Sequence, residues 1–250
     1  MHPRAGSRLA LIVAVSLLAN LGGHHPGQTA RAAAEPGQQP PAAAVICVDP
    51  GHPSETNSGR TVQNGTTELA MDWEVASKVA VLLEREQRLK VVKTRDDREK
   101  LTTNRARAEL ANRAGARLFL RLHCDTGAGS GFTLYYPDRQ ATKDGKTGPP
   151  LNVIEASRRA AAAVHRGMAA VLGGILKDNG VKGESATAVG KKQGALTGSI
   201  YAEVPAVTVE MVFLSNPADA QFIRRPVGQA KIAAALARGV AEYLGDIRDQ

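Results

Sequence analysis

Three short apolar runs in this chain each stop abruptly on ionisable side chains: VICVDPGH at 45–52, LFLRLHCD at 118–125 and AVTVE at 206–210. Continuous rather than alternating apolar runs belong to strands covered on both faces. The stretches between them carry helical periodicity. Thr66 and Thr67 precede Glu68, and Leu69, Trp73, Ala76, Val79, Ala80 and Leu83 then recur at helical spacing up to Arg85, the pattern of a capped amphipathic helix. LKVVKT at 89–94 reads as a second strand. Thr102 or Thr103 caps a helix facing the core with Ala106, Leu110 and Ala111, and Gly115 follows as its C′ residue.

Leu118–Leu122, Phe132–Tyr136 and Val204–Val209 are the remaining predicted strands. Pro137–Pro150 reads as a polar loop. A long Ala-rich helix is expected over Val153–Lys177, with Gly173-Gly174 as its weak point, and a closing helix over Lys231–Leu244. Strands alternating with helices predict an α/β fold: a single domain built on a twisted, mostly parallel sheet with helices on both faces.

The N-terminus is set apart from that domain. Arg4 and Arg8, the run Leu9–Leu21 and then Ala32-Ala33-Ala34 have the order of a secretory signal peptide over residues 1–34. The apolar run is short for a membrane span, which takes about 20 residues; the alternative is an uncleaved anchor. Residues 35–44 (EPGQQPPAAA) read as a Pro-rich linker, leaving 45–248 as the folded domain.

The whole chain carries 32 Lys+Arg against 24 Asp+Glu, a formal charge of +8. An exported basic protein is drawn to anionic polymer, and outside a membrane that is cell-wall material rather than nucleic acid. Solubility alone accounts for the same charge. Aromatic residues are only 4% of the chain, too few for a groove of stacked bases. Two cysteines, Cys47 and Cys124, make no disulfide scaffold; they read as one bridge or as two buried thiols.

In an open α/β sheet, ligands bind beyond the carboxyl ends of the strands, so residues distant in sequence converge there. His52, His123 and a carboxylate from separate elements have the composition of a catalytic zinc site, with three protein ligands and a position left for water. His52 taken alone is equally a turn histidine, and Glu68 alone a favourable charge on a helix N-terminus. His123 and Glu210 close or interrupt apolar strands, where an unpaired polar group is costly. Asp49 reads as a cap of its own turn or as an acceptor orienting His52. Arg95 reads as a partner for a neighbouring Asp or for a substrate carboxylate, and Asn216 as a turn former with Pro217 or as a rim donor. His165 shows no partner in the sequence.

These blocks together resemble a family. VDPGH at 48–52, Glu68, TRDD at 94–97, LTTNRARAELAN at 101–112, RLHCD at 121–125 and PAVTVEMVFLSNP at 205–217 look like the zinc-dependent N-acetylmuramoyl-L-alanine amidases of the amidase-3 type, enzymes of bacterial cell-wall turnover. The resemblance runs from about Val45 to Leu244. It implies a six-stranded sheet, a Zn2+ ion held by His52, Glu68 and His123, and Glu210 as the catalytic carboxylate. It implies cleavage of the amide between the lactyl group of N-acetylmuramic acid and L-alanine, with peptidoglycan or a muropeptide as partner; with the signal peptide over 1–34, the protein is expected to be exported, periplasmic or extracellular and associated with the cell wall.

The chain departs from the family pattern where Pro53-Ser54-Glu55 replaces a Gly-rich stretch, which makes Glu55 a reserve ligand. No self-blocking helix is expected within Pro137–Asn152, and no appended wall-binding module. The chain is expected to act as a monomer. A zinc peptidase acting on the stem peptide and a non-catalytic wall-binding relative are the rival readings.

Overall fold

The computed structural model describes residues 43–247. The expected signal peptide, and all but the end of the linker, lie outside the described residues.

The main sheet is built from β1 (Ala44–Pro50), β2 (Leu89–Lys93), β3 (Leu118–Asp125), β4 (Phe132–Tyr136), β7 (Asp178–Gly183) and β8 (Ala206–Phe213). Their spatial order is β2-β1-β3-β8-β4-β7. The four strands from β2 to β8 run parallel, while β4 pairs antiparallel with β8 and parallel with β7. A two-stranded hairpin, β5 (Ala141–Lys143) and β6 (Lys146–Gly148), occupies the stretch expected to be a polar loop.

Alternation along the buried strands sorts side chains onto two faces. Ile46, Val48, Leu118, Leu120 and Leu122 point to the larger core, shared with α1 (Glu68–Glu84), α3 (Leu151–Leu172) and α7 (Pro226–Asp246). Cys47 and Phe119 point the other way, toward α2 (Asn104–Arg113) and α5 (Thr197–Tyr201). Helices therefore cover both faces, as expected. The two cysteines sit in different clusters, Cys47 in the smaller and Cys124 in the larger, and both are free thiols; no bridge joins them. The α3–α7 contact depends on glycine, because a Cβ on Gly167 would lie 2.4 Å from the Gly239 Cα.

Several boundaries differ from the sequence expectation. β8 does not stop at Val209 but runs on through Glu210 to Phe213, because Met211 and Val212 still have core to fill. α3 ends at Leu172, where Gly174 adopts φ +77°. α6 (Pro217–Arg224), α4 (Ala188–Gln193), α5 and β7 carry too little apolar periodicity to stand out. α2 starts at its expected cap, with Thr103 accepting from the Ala106 N–H. Its buried face is Arg107, Ala108 and Ala111 rather than Ala106 and Leu110.

Candidate metal centre

The carboxyl ends of β1 and β3 and the first turn of α1 meet at one point. Thr67 caps α1 by accepting the Ala70 N–H, which starts the helix at Glu68 and aims its side chain at the sheet. Glu68 Oε1 lies 3.0 Å from His52 Nε2 and 3.1 Å from His123 Nδ1. The two imidazoles stand edge to face, 5.1 Å between centroids. His52 Nδ1 is 3.0 Å from the Asn57 carbonyl. A carbonyl only accepts, so that nitrogen carries the proton and Nε2 presents its lone pair to the centre. With His123 Nδ1 beside it, a cation at this point would find two imidazoles and a carboxylate together.

Asp72, one turn beyond Glu68 on α1, completes the group. Ligand atoms of His52, Glu68, Asp72 and His123 all lie within 4.8 Å of one another. Asp72 is fully buried and neither oxygen receives an N–H or O–H among the described residues, its one donor neighbour being the weak Cys124 thiol. These donors, two imidazoles and two carboxylates, suit a divalent transition metal such as zinc.

The electrostatics agree with a cation site. Burial alone would raise Glu68, but the adjoining His123 and His52 rings outweigh it and hold the carboxyl at about 2. Burial lowers the pKa of His123, favouring the neutral form that binds metal. Burial, then the neighbouring charges of Glu68 and Glu210, push Asp72 well above the carboxylate range.

Glu210 lines the same cleft of about 390 Å³. Its Oε2 is occluded and unpartnered, and burial followed by the charges of Glu68 and Asp125 drives its pKa well upward. The far wall carries Lys143, Val189, Gln193 and Thr197. That wall is tied down by buried Glu184, which accepts from the Leu196 N–H at 2.8 Å and the Ser199 hydroxyl at 2.6 Å.

The other sequence candidates fall elsewhere. Asp49 neither caps its turn nor touches His52; it is wholly buried and accepts from Thr94, Arg107 and Arg121. Burial would raise it, but the two guanidiniums and the Thr94 hydroxyl hold it at about 2. Arg95 binds no Asp carboxylate and does not reach the cleft. Its guanidinium donates to the carbonyls of Pro50, Gly51, Asp97 and Arg98 and lies over Trp73. Asn216 caps α6, accepting the N–H groups of Ala218 and Asp219. Glu55 is exposed and accepts from Asn104, so it is no ligand. His165, on α3, meets Asp178 of β7.

Two residues that the sequence reading passed over matter here. Arg107 donates to Asp49, Pro50, Pro53 and Thr102, clamping the backbone on both sides of His52. Its only signal was an arginine on the inward side of a short helix. Asp72 was visible as a carboxylate four residues after Glu68, on the same helical face.

Fold and cluster define a class, an α/β protein with a histidine–carboxylate metal-type centre at the carboxyl edge of its sheet. The chain belongs to the N-acetylmuramoyl-L-alanine amidase family, whose model matches residues 46–242. It is 27% identical over 209 residues to the N-acetylmuramoyl-L-alanine amidase LytC of Bacillus subtilis, covering 82% of this chain but 36% of that protein. The chain thus spans about a third of that relative's length. It is 26% identical over 229 residues to the N-acetylmuramoyl-L-alanine amidase Rv3717 of Mycobacterium tuberculosis, covering 81% of this chain and 87% of that protein. The fold matches the apo N-acetylmuramyl-L-alanine amidase Ami1 of Mycobacterium abscessus with a TM-score of 0.66 at 24% identity, covering 81% of this chain and 99% of that one.

Proposed function

We propose that the protein hydrolyses the amide between the lactyl group of N-acetylmuramic acid and L-alanine in peptidoglycan, with zinc held by His52, Glu68 and His123 and with Glu210 as acid and base. The observation that carries this reading is the meeting of two imidazoles and the Glu68 carboxylate within 3.1 Å, on the same cleft as Glu210, in a chain of the amidase family. Bound zinc supplies a Lewis acid for the carbonyl and lowers the pKa of water from about 15.7 towards 7. Glu210 takes the proton of the attacking water and returns it to the departing alanine nitrogen. Lys143, which lines the same cleft, offers a donor to the stem peptide.

Residues 1–34 fit the same reading as an export signal, since the polymer to be cut lies outside the membrane. Among the described residues no helix is long and apolar enough to cross a membrane.

The test is mass spectrometry of a muramoyl-peptide fragment incubated with the purified zinc-loaded protein, beside EDTA and Glu210→Ala controls. Release of a peptide with free N-terminal L-alanine, lost in both controls, is the expected result. Cleavage at another amide would make the protein a peptidase, and zinc binding without products would make it a wall-binding relative.

A further inference from the structure

Asp49 and Asp72 are both carboxylates with no exposed surface, yet they are treated oppositely. Asp49 receives Thr94 and two arginines. Asp72 receives no nitrogen or oxygen donor at either oxygen among the described residues. Arg95, the cation whose charge reaches it, is already engaged by four backbone carbonyls. A carboxyl so placed carries its charge only with a cation beside it, and its neighbours on α1, Leu69, Met71, Val75 and Ala76, supply none.

Its surroundings say what it faces. A Cβ on Gly51 would fall 2.5 Å from Asp72 Oδ2 and 2.5 Å from His123 Cε1. The carboxylate and the imidazole therefore lie side by side against the same bare backbone, and Gly51 has room for neither to move away. Glu68 Oε1 meets the other nitrogen of that group, His52 Nε2. A cation held by Glu68 and the two histidines would stand within reach of Asp72, whose ligand atom lies within 4.8 Å of theirs.

We propose that Asp72 is a fourth protein ligand of the metal ion, beside His52, Glu68 and His123. This rests on the zinc reading above and extends it. Two carboxylates and two neutral imidazoles neutralise a divalent cation completely. Zinc accommodates a fifth ligand, so substrate or water still enters from the cleft, where Glu210 stands. Relative to a three-ligand centre, this one holds its metal more tightly and depends on the charge of a helix residue one turn from Glu68.

The test compares the purified protein with Asp72→Asn, Asp72→Ala and Glu68→Gln. Zinc affinity is measured against a competing chelator, and the visible absorption of the Co2+-loaded protein reports coordination number, four-coordinate cobalt absorbing more intensely than five-coordinate. Both Asp72 variants are expected to lose zinc affinity by about a hundredfold, as for loss of a metal-supporting group, and their cobalt bands to change in intensity and position. The metal-free melting temperature of Asp72→Asn is expected to stay near that of the parent, since only the contact with the Cys124 thiol changes. Asp72 variants with the parent cobalt spectrum would overturn the proposal, whatever their affinity. A lower metal-free melting temperature with unchanged metal affinity would also overturn it, leaving a packing role. If the parent itself binds no metal while Glu68→Gln behaves identically, the zinc reading falls with it.

Discussion

His123 and Glu210 are Cα partners in the parallel ladder between β3 and β8. In-register neighbours on adjacent strands point to the same side of a sheet, so one residue of the metal cluster and the carboxylate assigned to proton transfer stand side by side at a spacing set by the backbone. Glu210 is outside the group of ligand atoms that converge on Glu68. Replacing Glu210 with Gln is therefore expected to lower turnover by about 10²–10⁴-fold while zinc content, measured by atomic absorption, stays at that of the parent.

Gly51 must lack a side chain for the centre to exist. Gly51→Ala would drive a Cβ into Asp72 and the His123 ring, displacing at least one of them. Zinc affinity is expected to fall by about tenfold or more, whereas Gly245→Ala, with nothing near its Cβ position, leaves it unchanged. Chelator competition on the two variants checks this.

Arg107 neutralises Asp49 and holds the His52 loop through the carbonyls of Pro50 and Pro53. Arg107→Met leaves Asp49 with one arginine instead of two. The expected loss is about 3 kcal/mol, at the low end for a broken buried pair, measured by urea unfolding. Arg107→Lys is not expected to rescue it, because one ammonium cannot replace a fork that serves four acceptors.

Glu184 gives stability a pH dependence of definite sign. Burial, against the hydrogen bonds of Ser199 and Leu196, lifts its pKa from 4.5 to about 7. The protonated form is thus favoured by folding. Its contribution is fully present below 4.5 and is lost as pH rises through about 7. In the metal-free protein, the melting temperature of the parent relative to Glu184→Gln is expected to fall by a few degrees across that window. A difference that stays constant with pH would show that Glu184 is ionised throughout.

What could be read in advance follows from how each element is stabilised. β1 and β3 were legible because strands covered on both faces must be apolar throughout, and α1 because Thr67 and its stripe follow helical period. β7, DNGVKG, is an edge strand with little apolar content, so backbone pairing to β4 makes it a strand and no side-chain pattern announces it. The antiparallel direction of β4 was invisible for a related reason, since alternation is the same in either direction.

The residues His52, Glu68, His123 and Glu210 were singled out from local sequence, because polar groups ending or interrupting apolar strands need a purpose, and the family blocks supplied one. Asp49, Arg95 and Asn216 were placed near the same strand ends, but their partners were decided by contacts across the fold. Two arginines from α2 and β3 claimed Asp49, four carbonyls claimed Arg95, and the first turn of α6 claimed Asn216. Asp72 became conspicuous only when its burial was known. Sequence determines which residues want to be buried and with what period. Which buried charge finds a counter-charge depends on side chains brought together from distant strands and helices, and that is a property of the tertiary structure alone.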